Sequence, residues 1–113
     1  HIAPWRSVYK LHLFTDTEMT FVLTNGGHNA GIVAEPGHKG RRYRYSASPR
    51  GATYVDPDSW LSRTPVTQGS WWPAWSAWLE SRSGAPVAPP SMGTPGPLYT
   101  PLRPAPGAYV LQT

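Results

Sequence analysis

The chain has 113 residues, of which 14 are proline, 11 glycine and none cysteine; this length holds one small domain or part of a larger one and excludes a multidomain enzyme. The absence of cysteine removes disulfide frameworks, thiolate metal sites and any sulfur nucleophile within this stretch. The net charge is +4, but only 14% of residues are charged, so the basic signal is mild, and no apolar run reaches the roughly 18 residues of a membrane helix.

Six tryptophans predict an ordered core despite the proline and glycine. From Trp5 to Phe14 the positions Trp5, Val8, Tyr9, Leu11 and His12 follow the spacing of a helix with one buried face, and Pro4 suits its first turn. Thr20 to Thr24 is the best strand in the sequence. Its consecutive apolar and β-branched residues suggest burial on both faces, as in the parallel strands of α/β proteins. Gly26-Gly27-His28-Asn29-Ala30-Gly31 follows, a glycine-rich loop around one histidine. The basic-aromatic stretch Gly40 to Arg50 could be a strand or an extended loop.

Asp56 before Pro57 marks the start of a short helix. Ser70 to Leu79 predicts a second, stronger one, with Ser70 or Trp71 at the cap, Pro73 in the first turn and Trp71, Trp75, Trp78 and Leu79 on one buried face. From Gly84 to Thr113 the chain is rich in proline, with only Val87, Met92, Leu98, Tyr99, Leu102, Tyr109, Val110 and Leu111 to anchor it. An extended tail is expected there. The organisation expected is therefore a domain portion over 1–83, which the resemblance given below makes part of a catalytic domain, and a tail over 84–113 packed on the same domain. Because His1 opens in sequence that looks structured, the natural chain is expected to extend upstream.

Among candidate sites, His28 is the sharpest, since a histidine directly after a buried strand is where an α/β fold presents a general base. His1, His12 and His38 match no metal-ligand spacing, so no metal is expected. The run Lys39 to Arg50 could stack bases and pair phosphates, but a solvated edge with its tyrosines packed inward is the simpler reading. Likewise, helical spacing makes the Trp60 to Trp78 cluster a packed helix before it is a sugar- or choline-binding platform.

Three segments taken together point further: His1-Ile2-Ala3-Pro4-Trp5, Gly27-His28-Asn29-Ala30-Gly31-Ile32-Val33, and Gly69-Ser70-Trp71-Trp72-Pro73-Ala74-Trp75 with Trp78-Leu79. They resemble the C-terminal part of polyhydroxyalkanoate synthases, bacterial acyltransferases that polymerise hydroxyacyl-coenzyme A thioesters. The ending Ala105-Pro106-Gly107-Ala108-Tyr109-Val110 is also similar to that family. The chain departs from it at Asn29 and at Ala34-Glu35-Pro36-Gly37.

The resemblance implies an α/β-hydrolase fold, of which this chain would hold the last parallel strand, flanking helices and an extended proline-rich tail. It further implies a Cys-His-Asp triad in which His28 is the histidine, with the Asp one residue upstream of His1 and the Cys further upstream. No cofactor is implied beyond the coenzyme A thioester substrate, and no cofactor-binding residue is named. The partners implied are hydroxyacyl-coenzyme A and the growing polyester, a polymer granule surface, and further copies of the intact enzyme, in a cytoplasmic or granule-associated setting. Nucleic acid is not expected. Two alternatives stand beside this reading: a hydrolase of thioesters or polyesters on the same fold, and a small non-enzymatic module that binds granules or nucleic acid.

Overall fold

A computed structural model describes residues 4–90, 93 and 100–112, and the chain separates into two units, His1–Ser83 and Gly84–Thr113. In the first unit, helix α1 (Trp5–Tyr9) runs on into a 3-10 turn (Lys10–Leu13), followed by strand β1 (Met19–Thr24), strand β2 (Arg42–Ser48), helix α2 (Pro57–Arg63), a short strand β3 (Thr67–Gln68) and helix α3 (Trp72–Glu80).

The first helix turns a narrower stripe inward than its apolar residues suggest. Trp5, Tyr9 and His12 form the inner stripe, at i, i+4 and i+7, whereas the expected core residues Val8 and Leu11 are 53% and 56% exposed. Tyr9 is buried, and its ring meets Phe21 of β1 edge-on at 5.1 Å and Trp60 of α2 at 5.6 Å. Phe21 and Trp60 meet edge-on at 5.1 Å, and His12 stacks on Tyr9 at 4.1 Å. These edge-to-face contacts suit ring quadrupoles better than parallel stacking would. The polar tips of Tyr9 and Trp60 are also satisfied. The Tyr9 hydroxyl donates to the Val55 carbonyl at 3.0 Å, and the Trp60 indole N–H donates to the Ser46 hydroxyl at 2.7 Å. Burial, then the nearby Tyr54 and Asp56, holds the Tyr9 hydroxyl above its ordinary pKa.

Helix α2 starts as its sequence predicts. The Asp56 carboxylate accepts the backbone N–H groups of Asp58 and Ser59 at 3.1 and 3.0 Å, and Pro57 fills the first turn, where no N–H is needed. Hydrogen bonds from the Ser59 side chain and then its backbone hold that carboxyl below the usual range.

The sheet corrects the expected strand environment. β1 pairs antiparallel with β2, with Phe21 opposite Ser46 and Thr24 opposite Tyr43, and β2 pairs antiparallel with β3 through Arg42 and Tyr43. The order is β1-β2-β3, so among the described residues β1 has no parallel neighbour and the basic-aromatic run is the central strand rather than an edge. Every residue of β1 is half-buried instead of fully buried. No parallel pair of strands occurs among the described residues, which form a small mixed helix and strand domain compatible with part of an α/β protein. In the register of β2, Arg44 and Ser46 share the face of Phe21. Arg44, not the tyrosines, thus turns toward the aromatic core, where its guanidinium donates to the buried Thr64 carbonyl at the end of α2. Tyr43 and Tyr45 lie on the opposite face, and Tyr45 is exposed.

Helix α3 lies against that opposite face of β1. The Trp78 indole N–H donates to the Thr20 hydroxyl at 3.1 Å, and the Arg82 guanidinium covers the Trp78 ring at 4.3 Å while pairing with Glu18. The expected buried face of α3 does not form: Trp75 is 46% and Leu79 40% exposed. Trp78 fastens the body of this helix to β1, with Arg82 closing over its ring one turn later and Trp75, one turn earlier, left exposed.

The described residues of the second unit have little regular structure, because prolines remove backbone donors and block helix propagation. Gly84 to Pro90 forms no helix or strand, and among the described residues one 3-10 turn spans Tyr109–Leu111. The proposed anchors Val87, Leu102, Tyr109, Val110 and Leu111 are all exposed. Met92, Leu98 and Tyr99, together with His1, lie outside the described residues.

Candidate functional site: the His28 loop

The loop that leaves β1 is built by three sets of contacts, beginning at its base. The Asn25 side chain accepts the Arg42 N–H at 2.8 Å and donates to the Gly40 carbonyl at 3.0 Å, while its backbone N–H donates to the Arg42 carbonyl at 3.1 Å. The loop is thereby closed at its neck.

At its crown sits His28, exposed and with φ of +53°, the one described residue other than glycine in the left-handed region. That conformation costs a residue with a Cβ about 1–2 kcal/mol and is met mostly where the surroundings enforce it. Asn29 follows, and its carbonyl accepts the N–H groups of Ile32 and Val33 at 3.0 and 2.9 Å, winding the chain into a tight turn.

Gly31 then passes so close beneath the turn that a Cβ on it would stand 2.4 Å from both the Asn25 carbonyl oxygen and the Thr24 hydroxyl. Only glycine fits there, which fixes the loop to the end of β1.

The third set comes from the start of α3. The indole N–H groups of Trp71 and Trp72 both donate to the Ile32 carbonyl, each at 2.9 Å. Ser70, itself buried, donates its hydroxyl proton to the Ala34 carbonyl at 2.5 Å and accepts the Trp72 backbone N–H at 3.1 Å. Ala34 is 1% exposed. A carbonyl oxygen has two lone pairs, and the one on Ile32 uses both on tryptophan. Trp71 is in turn stacked on Trp75, with ring centres 5.3 Å apart.

The neighbouring charges come from the beginning of β2. The Arg41 carbonyl accepts the Gly69 N–H at 2.7 Å, an Arg41 guanidinium nitrogen lies 3.5 Å from the His38 ring, and the Arg41 Nε is buried without a hydrogen-bond partner. An open cavity of about 200 Å³ lies beside this neck, lined by Leu23, Thr24, Asn25, Arg42, Arg44 and Val66. A larger one of about 260 Å³ opens at the other end of β1, next to His12, Asp16, Met19 and Tyr54, and so does not serve His28. There His12 makes a 2.8 Å hydrogen bond through Nδ1 to the Tyr9 carbonyl.

Sequence reasoning singled out His28 but gave the tryptophan string no contact with its loop. The missed signal is adjacency: Trp71 and Trp72 stand about 100° apart on a helix, so both cannot face one core, and each half-buried indole carries an N–H that can seek an acceptor.

No protein-family model matches the chain. It is 40% identical over 111 residues to poly(3-hydroxyalkanoate) polymerase 2 of Ectopseudomonas oleovorans, an alignment that covers 98% of this chain and 19% of that protein. It is 37% identical over 113 residues to the poly(3-hydroxyalkanoate) polymerase subunit PhaC of Rhizobium etli, covering 99% of this chain and 17% of the relative. With the PhaC subunit of Cupriavidus necator it shares 36% over 111 residues, covering 97% and 18%. The chain spans less than a fifth of the length of the relatives it matches. These homologues are enzymes, and they belong to one class. The chain matches a segment of poly(3-hydroxyalkanoate) polymerases, as its three motifs indicate.

Proposed function

We propose that this chain supplies the general-base histidine, His28, of a polyhydroxyalkanoate synthase-like acyltransferase with an α/β-hydrolase fold, whose cysteine and aspartate lie outside it. The observation that carries this reading is the backbone of His28: an exposed imidazole held in a strained, left-handed conformation at the carboxyl end of a strand, by a loop pinned on three sides. Such strain is maintained where a side chain must be presented to a partner.

The chemistry follows from the residue types. His28 takes the proton of the cysteine thiol, the thiolate attacks the carbonyl carbon of a hydroxyacyl-coenzyme A, and the thioester C–S bond breaks. Coenzyme A leaves as a thiol after taking the proton back from the imidazolium. Sulfur is exchanged for sulfur, so the acyl group stays activated for transfer to the hydroxyl of the next unit. The aspartate orients the imidazole or assists at that hydroxyl.

The test is His28→Ala in the intact protein. Turnover should fall by about 10³ or more, as loss of a triad base does, with substrate affinity little changed. Near-normal polymer formation by the variant would end the assignment. The same assay, read for polymer growth against release of free hydroxy acid, separates a polymerase from a hydrolase.

A further inference from the structure

The segment that begins α3 does more than close the domain. Resting on the reading of His28 as base, we propose that Ser70, Trp71 and Trp72 are positioning residues that set the place of the His28 loop. The argument starts from the bonds they make. Three side chains of consecutive residues reach to the same short stretch of backbone, two to the Ile32 carbonyl and one to the Ala34 carbonyl, at 2.9, 2.9 and 2.5 Å. Helix packing on a sheet needs no such convergence. Trp78 on the same helix packs on β1 by a single contact with the Thr20 hydroxyl.

Only three residues separate Ile32 from His28, and the tight turn through the Asn29 carbonyl links them. The upstream end of the loop is fixed by Gly31 on Thr24 and Asn25. A displacement at Ile32 passes to His28 through the turn in which the Asn29 carbonyl holds the Ile32 and Val33 N–H groups. Loss of a clamp of this kind shifts a catalytic group without deleting it, and a misplacement of about 1 Å is enough to cost about a hundredfold in rate.

Trp71→Phe and Trp72→Phe keep the ring and remove the N–H donor. In the intact protein each should lower kcat about tenfold and the pair about a hundredfold, with KM for hydroxyacyl-coenzyme A within about twofold. Amide hydrogen exchange at Ile32 and Val33 should quicken in the pair while Phe21 to Leu23 of β1 stay protected. Ser70→Ala should behave like a single tryptophan variant, and Ser70→Thr, which retains the hydroxyl, should restore most of the rate. Trp78→Phe removes one indole N–H bond of the same kind from the same helix and should leave kcat within about twofold. Should the double variant fail to fold, the Ser70 pair and the single variants carry the test.

The inference is overturned if the tryptophan variants keep wild-type kcat, if Trp78→Phe costs as much as they do, or if β1 loses protection together with the loop. If His28→Gln is inactive while the clamp variants are normal, the base stands and the clamp falls. If His28→Gln turns over normally, the base reading fails and the clamp fails with it.

Discussion

Two tryptophan-bearing regions flank β1, and they use the same side chain for different ends. On one face Trp60 is 6% exposed and wedged between Tyr9, Phe21 and Trp5, so its worth lies in the apolar area it removes from water, with its N–H merely satisfied by Ser46. On the other face Trp71 and Trp72 direct their N–H groups at one carbonyl, and Trp75 stays 46% exposed. The first region holds the unit together; the second holds one loop. Tryptophan content alone could not distinguish them.

The largest effect separating the two regions should come from truncation. Trp60→Ala should lower unfolding free energy by about 3–5 kcal/mol, as deletion of a buried indole does, whereas Trp75→Ala should cost less than about 1 kcal/mol. Denaturant unfolding of both variants checks this, and equal losses would dissolve the distinction.

Gly31→Ala sharpens the comparison from the loop side. The added methyl meets the Asn25 carbonyl and the Thr24 hydroxyl, so the loop must lift. A stability cost of about 1–3 kcal/mol is expected, with activity falling further than that cost accounts for. Thermal melting and turnover measured together decide it, and unchanged turnover would show that the loop's seat is unimportant.

The smallest effect belongs to Tyr9. Its folded-state pKa lies above the ordinary value of 10.0, so the folded chain favours the neutral phenol more than the unfolded chain does. The stability this contributes is complete below the unfolded pKa and is lost as pH rises past 10 through the folded one. Tyr9→Phe should cost about 1 kcal/mol at neutral pH through the lost bond to Val55 and should flatten the decline in alkali. Stability curves from pH 7 to 11 for both proteins give the answer; parallel curves would remove Tyr9 as the cause.

Much of the local structure was legible in the residues. Asp56-Pro57 announces α2 because a carboxylate cap and a missing N–H suit only a helix start. The β-branched run at Thr20 to Thr24 announces β1, and the motifs around His28 and Ser70 carry the family resemblance that the homologues bear out. The inward residues of the first helix were misjudged at Val8 and Leu11, which are exposed; a shift from α to 3-10 winding after Tyr9 gives Leu11 a new angle, whereas Val8 lies before that shift and beside the inner stripe of Trp5 and Tyr9.

The sequence by itself determined β1 and the helices at Trp5, Pro57 and Trp72, and which histidine sits at a strand's end, because capping, periodicity and glycine placement act over a few residues. Tertiary structure alone decided that β1 pairs antiparallel with Arg42–Ser48, that Arg44 turns inward to Thr64, and that two indoles meet on the Ile32 carbonyl. Those outcomes join residues far apart in the chain, and a hydrogen-bond donor selects its acceptor only after packing has brought the two together.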